Sequence, residues 1–248
     1  MNVLEGKVAV VAGASGGIGR AIANALGQHG AQLILCGRDL KALEETARSA
    51  ALDDGQVHPH AGDFTQTEAV TAFVDAVKQA WGKVDILVHG IGYFSLGTVA
   101  QADVAELDRH YQINLRAPYL LTRKLLPLME PADNGFSQIV FINATAAFGA
   151  RADLGQYSAM KSALRTMTDC LRLEVNPARI RVTTIFPSRT TTAMQQRVRE
   201  LEGEAYNGDE YIQPDDVAAA TLSALLLPSS VQVKEIVLLP FLGKERMP

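Results

Sequence analysis

The chain has 248 residues, 48% of them hydrophobic and 20% charged, which is enough to bury one large core or two small ones and is ordinary for a soluble globular protein. Its formal net charge of −4 excludes the basic surplus by which a nucleic-acid binder is usually recognised. No stretch approaches the roughly 18 uninterrupted apolar residues of a membrane span, and the N-terminus lacks the basic start and apolar core of a secretory signal. The expectation is a cytoplasmic protein without a membrane or nucleic-acid partner.

Short β-branched runs alternate with longer stretches of helical periodicity. The strand KVAVVAG is followed by a helix over GRAIANALGQHG, a strand AQLILCG, a helix LKALEETARSAA, a strand QVHPH, a helix EAVTAFVDAVKQAWG and a strand KVDILVHG. A long helix is expected from about Val104 to Met129, then a strand SQIVFINA, a helix from about Gln156 to Val175, a strand IRVTTIFP, a helix PDDVAAATLSALLL and a last strand EIVLLP. Parallel neighbours need crossover connections, and those crossovers cover both sheet faces. The pattern therefore predicts a single α/β domain over residues 1–248 with a doubly wound, seven-stranded parallel sheet. The irregular stretch at about 188–213 is expected to be a substrate lid.

The turn VAVVAGASGGIGRAI sets Gly13, Gly17 and Gly19 between the first strand and the first helix. Glycines there allow a tight turn and a close backbone approach, and a helix N-terminus offers free N–H groups to a pyrophosphate. Further on, GQYSAMKSAL places Tyr157 and Lys161 one helical turn apart, on one face. A phenol with a pKa near 10 is a poor acid at neutral pH, and a neighbouring ammonium is expected to lower it.

Gly13-x-x-x-Gly17-Ile18-Gly19 together with Tyr157-x-x-x-Lys161, in this order, resembles the short-chain dehydrogenase/reductases, over about Lys7 to Pro240. The resemblance implies a single Rossmann domain, a nicotinamide cofactor, and usually a homodimer or homotetramer built partly on the long helices after the fourth and fifth strands. In such a protein Tyr157 is the proton donor, and Lys161, together with the positive ring of the oxidised nicotinamide, tunes it. Thr145, in FINATAAFG, matches the serine that fixes the substrate oxygen, and Asn114, in YQINLRAP, matches the asparagine that links the lysine to solvent through a water. Asp63 resembles the adenine-contacting aspartate, with a helix cap as its plain structural alternative. Gly90 passes beside the cofactor, and Pro187, Thr190 and Thr192 meet its nicotinamide and pyrophosphate. A run of three threonines is also compatible with a simple polar turn.

An acidic residue at the end of the second strand takes the ribose 2′-hydroxyl of NAD, whereas a 2′-phosphate needs that acid gone and an arginine near. Here the strand ends in Gly37 followed by Arg38, and Asp39 reads as a helix N-cap. NADP(H) is favoured over NAD(H), with Arg38 on the phosphate and Ser15 as helper. The loop His89-Gly90-Ile91-Gly92 stands where the family usually shows Asn-Asn-Ala-Gly, and His89 reads as a core residue. His58 and His60 lack carboxylate or cysteine neighbours in metal-ligand spacing, so no metal is expected. Cys36 and Cys170 read as reduced thiols in packed positions.

The expected function is hydride transfer between NADP(H) and a carbonyl or secondary alcohol, with Tyr93, Phe94, Phe148, Arg151, Arg189 and Met194 lining the substrate pocket and an arginine meeting a substrate carboxylate. The competing class is a non-catalytic NADP(H)-binding sensor or interaction protein. An isomerase or dehydratase on the same fold is a third.

Overall fold

The computed structural model describes residues 3–50, 56–131 and 135–241. The expected strands form as β1 (Val8–Ala12), β2 (Gln32–Gly37), β3 (Val57–Ala61), β4 (Ile86–His89), β5 (Ser137–Ile142), β6 (Ile180–Pro187) and β7 (Glu235–Leu238). They pair in parallel in the order β3-β2-β1-β4-β5-β6-β7. Pro59, which cannot donate to a ladder, sits on the edge strand β3. Around the sheet run α1 (Gly17–Gln28), α2 (Leu40–Ser49), α3 (Thr67–Ala80), α4 (Val104–Tyr111), α5 (Ala117–Leu125), α6 (Gly155–Val175), α7 (Ala193–Glu202) and α8 (Pro214–Leu225). Ala51, at the end of the expected second helix, lies outside the described residues.

Period-two alternation divides each buried strand between two cores. On one face Val8, Val10, Ile34, Leu87 and Phe141 meet Phe73 of α3, Leu121 of α5 and Leu164 of α6. On the other, Ala9, Val11, Leu33, Leu35 and Val140 meet Ile22 and Leu26 of α1, Leu43 of α2 and Val217 of α8. Among the described residues no helix is long and apolar enough to cross a membrane.

Two elements differ from the sequence expectation. The long helix between Val104 and Met129 is interrupted by a π-helical turn at Gln112–Arg116 and ends in a 3₁₀ turn at Leu126–Leu128. Pro118 supplies the reason: it has no N–H for the carbonyl four residues back, which belongs to Asn114, and its ring crowds that carbonyl. The stretch expected to be irregular contains α7, capped at its start by Thr192 and closed by Gly203 in the left-handed conformation. The cysteine reading is corrected in part. Cys36 is buried, but Cys170 is exposed on α6.

His89 is a core residue, as its place at a strand end suggested. It is 4% exposed, its Nε2 lies 2.8 Å from Thr122 Oγ1 on α5, and its ring stacks on Phe141 at 4.5 Å between centroids. Burial lowers its pKa to about 3, so the imidazole is neutral and ties sheet to helix through one hydrogen bond. Thr122→Val keeps the shape and removes the partner. It should cost about 1 to 3 kcal/mol, read as a lower urea midpoint with an unchanged slope.

Candidate functional site

The strand order reverses between β1 and β4, and in open α/β sheets the ligand crevice lies beyond the carboxyl ends at that point. A cavity of about 770 Å³ opens there. Gly13 forms its floor at φ 85°, and a Cβ at Gly13 would lie 2.6 Å from the carbonyl carbon of Gly90. A Cβ at Gly19 would run into the Gly13 carbonyl oxygen, so helix and strand meet at backbone distance. Gly17 faces the Thr192 methyl, 3.0 Å from where its own Cβ would be. The N-terminus of α1 has no side-chain cap and no acidic residue in its first turn. Gly17, Ile18 and Gly19 line the cavity at that end, which is the chemistry an anion would meet.

At the end of β2, Gly37 leaves the wall open, and Arg38 follows it on the cavity rim, exposed and without a hydrogen bond or ion pair among the described residues. Ser15 lies behind Gly37, its hydroxyl 3.4 Å from where a Cβ would be. Asp39 caps α2, accepting from the Ala42 N–H at 3.1 Å. Asp63 also lines the cavity, and its carboxylate accepts from the backbone N–H and hydroxyl of Thr65. It does not cap α3, whose N-cap is Gln66.

Tyr157 and Lys161 project from α6 into the same cavity, the ammonium 5.7 Å from the phenol ring centroid. Lys161 is 4% exposed, and among the described residues its Nζ reaches only the Ile142 carbonyl, at 3.5 Å. The sequence expectation concerns the combined pull of the ammonium and a bound oxidised nicotinamide on the phenol; in the chain alone burial acts on both groups. Burial pushes Tyr157 up, and burial brings Lys161 down to about 8. Phe94 packs edge-on against Tyr157 at 5.0 Å.

The remaining expected residues divide. Gly90, Pro187, Thr190 and Thr192 line the cavity, although the Thr192 hydroxyl is engaged as the cap of α7 and Thr190 Oγ1 donates to the Ser188 carbonyl at 3.0 Å. Thr145 is not on the cavity wall. It opens a 3₁₀ turn beyond β5, and Asn143 and Ala144 form the wall at that place. Asn114 also stays behind the wall, 1% exposed and hydrogen-bonded to Tyr93 and His110. Of the expected substrate contacts, Tyr93, Phe94 and Met194 line the cavity, whereas Phe148, Arg151 and Arg189 do not.

Arg151, Arg189 and Arg199 converge on Glu202 at 2.6, 2.9 and 2.8 Å. Burial raises the Glu202 carboxyl, but the guanidiniums outweigh it and bring it down to about 2. Arg151 and Arg189 tie the end of α7 to the chain outside it, and Arg199 pairs with Glu202 within the helix. Sequence reading missed Gln195, which is buried, lines the cavity from α7 and has an Nε2 without a partner. A glutamine in a helix carries no pattern that would single it out. Arg109 was also missed; it lines the cavity with its guanidinium 4.4 Å above the Tyr93 ring.

Comparison with known proteins agrees with this arrangement. Residues 7–203 match the family model described as short chain dehydrogenase. An uncharacterized oxidoreductase of Staphylococcus aureus strain MW2 is 32% identical over 242 residues, 97% of this chain and 100% of that protein. A crystal structure of 3-ketoacyl-(acyl-carrier-protein) reductase from Brucella melitensis complexed with NADH superposes with a TM-score of 0.82 at 28% identity, covering 95% of this chain and 97% of that one. A metagenomic short-chain oxidoreductase in complex with NADP gives 0.82 at 31% identity, covering 97% and 99%. The seven-stranded sheet and the position of its cleft are those of a Rossmann-like α/β oxidoreductase. The chain belongs to the short-chain dehydrogenase family.

Glu202→Gln removes the charge that gathers the three arginines. Limited proteolysis within residues 190–210 should then speed up by at least about threefold. Wild type should show no such change between pH 8 and 5, because its carboxylate is depressed to about 2 and stays charged throughout that range.

Proposed function

We propose that this chain is an NADP(H)-dependent oxidoreductase that interconverts a carbonyl compound and its secondary alcohol, with Tyr157 as the proton donor. The reading is carried by the convergence of Tyr157, Lys161 and the uncapped, glycine-lined start of α1 on one cavity.

The residues fit a nicotinamide dinucleotide. The cradle made by Gly13, Gly17, Gly19 and Gly90 is one that side chains would fill, and the first N–H groups of α1 suit its pyrophosphate. Asp63 would hold the adenine end, and Pro187, Thr190 and Thr192 the nicotinamide end, for which the Thr190 and Thr192 hydroxyls would have to leave their present partners. When bound, the cofactor supplies or accepts the hydride. Arg38 supports the choice of NADP(H): on the rim it has no hydrogen bond or ion pair among the described residues, and it stands beside a glycine where NAD would want an acid.

In reduction, the Tyr157 O–H bond breaks as the substrate oxygen gains its proton, so the protonated phenol that burial favours is the form required. The Lys161 ammonium stabilises the transient phenolate; Asn114, whose amide is engaged by Tyr93 and His110, makes no hydrogen bond to that lysine among the described residues. Tyr93, Phe94, Met194 and Val198 give the substrate an apolar berth, and α7 with its flanking turns, residues 188–213, acts as the lid over it. Tyr119 on α5 and Leu173 on α6 are 55% and 77% exposed, in keeping with a homodimer or homotetramer joined through these helices.

The placement of Thr145 favours a second reading, that of a non-catalytic NADP(H)-binding protein. With Thr145 off the wall, Tyr157 is left as the assigned donor to the substrate oxygen. Thr145→Ala should therefore change ketone reduction by less than about threefold, whereas a true oxygen anchor would cost about 10²- to 10³-fold. A panel of ketones with NADPH decides between the readings. Turnover that falls by about 10²-fold or more in Tyr157→Phe supports the enzyme. Cofactor binding without turnover, unchanged by that substitution, overturns it.

Two further outcomes are expected. Arg38→Ala should weaken use of NADPH by roughly 10- to 100-fold and leave NADH almost unchanged; equal losses would make Arg38 structural. With NADPH and ketone both saturating, ketone reduction should be level below pH 8 and decline above it, because Lys161, lowered to about 8, loses its proton there. A profile flat to pH 9.5 would remove Lys161 from the proton chemistry.

A further inference from the structure

The π-helical turn does more than break a helix. Asn114 Oδ1 accepts from the Tyr93 N–H at 2.8 Å, and its Nδ2 donates to the Tyr93 carbonyl at 2.9 Å. These two backbone groups fix which end of the amide is which. The second Nδ2 hydrogen points at His110 Nδ1, 3.0 Å away, so that ring nitrogen has to be an unprotonated acceptor. The imidazole proton then sits on Nε2 and is donated to Ser95 Oγ at 2.9 Å. The Glu106 carboxylate accepts from the Tyr93 hydroxyl at 2.6 Å. His110 is fully buried, and its ring lies 5.0 Å from that of Tyr93 and 6.0 Å from that of Tyr157.

We propose that neutral His110 is a positioning residue: by accepting from Asn114 it clamps the Tyr93–Ser95 segment, which forms the substrate wall against Tyr157, and protonation of its Nδ1 releases that wall. An imidazolium has two donors and no acceptor, so Asn114 Nδ2 would face another N–H, and the amide could no longer bracket Tyr93 in its present orientation. The groups facing His110 are Glu106 and Arg109 on α4, Tyr93 and Ser95 from the loop after β4, and Tyr157 and Lys161 on α6. Burial, Lys161 and Arg109 hold its pKa below the ordinary histidine value, against Glu106, so the clamp is closed at neutral pH and opens on acidification. The clamp itself follows from contacts within this chain. Only its kinetic consequence rests on the reductase reading.

The test measures hydrogen-exchange protection of the Tyr93 amide and the His110 tautomer by ¹⁵N NMR, with the Val88 amide of β4 as a control for global stability. In wild type, Nε2 should carry the proton, and Tyr93 protection should fall at least about tenfold on acidification through the range in which His110 gains its second proton, with Val88 unaffected. His110→Gln keeps an acceptor and does not titrate, so Tyr93 should stay protected down to pH 5. His110→Leu should leave it unprotected throughout. If His110→Leu fails to fold, the comparison of wild type with His110→Gln still decides. An Nδ1-protonated ring, or the same acid loss in His110→Gln as in wild type, would overturn the proposal. In ketone reduction the wild-type substrate KM should rise on the same acid limb and that of His110→Gln should not. The protection pattern found without any turnover would keep the clamp and sink the reductase reading; turnover with no such pattern would do the reverse.

Discussion

Three backbones pass within contact distance at the carboxyl ends of β1 and β4, and the position of the whole site follows from that closeness. Gly13 abuts Gly90, and Gly19 abuts the Gly13 carbonyl, with no room for a Cβ at either glycine. Because nothing intervenes, the start of α1 is drawn onto the end of β1, and its free N–H groups open into the cleft rather than into solvent. The same crossing sets β4 beside β1 and so delivers the Tyr93–Phe94 wall opposite α6. A side chain at Gly13 or Gly19 would push these parts away from one another.

Burial, more than pairing, sets the charge states inside the cleft. Tyr157 and Lys161 are drawn toward their neutral forms, and His89 is held neutral behind the sheet. Charged groups stand at the margins: Arg38 on the rim, and Glu202 of α7 with the guanidiniums of Arg151, Arg189 and Arg199. A cleft of this kind gains from an incoming anion at the rim and favours a proton donor over a proton acceptor at its centre.

Much of the fold was legible because periodicity is read over many residues. Alternation along β1 and β2 marks two buried faces, and the glycine turn marks the crossing. The parts that were not legible depend on single contacts across the chain. Thr145 reads in sequence as the match to the family's serine, but the 3₁₀ turn it opens leaves it off the wall. Arg151 and Arg189 look like free cations until folding brings Glu202 between them. Asn114 stood out as an asparagine within a helix, and Pro118, four residues on, carried the sign of the break. Nothing local showed that His110 would become its partner.

The π turn thereby joins a local defect to the site. A regular helix through Gln112–Arg116 would carry a different rotation into everything before it, and α4 would present other side chains to the loop after β4. With the turn in place, Asn114 faces Tyr93 and His110 faces Ser95, so the residues after β4 are held by side chains, with Asn114 gripping both backbone polar groups of Tyr93. Side-chain hydrogen bonds of this kind are directional and few. They position the wall closely while they last, and the loss of one acceptor is enough to release it, which makes the loop beside Tyr157 easier to move than the sheet beneath it.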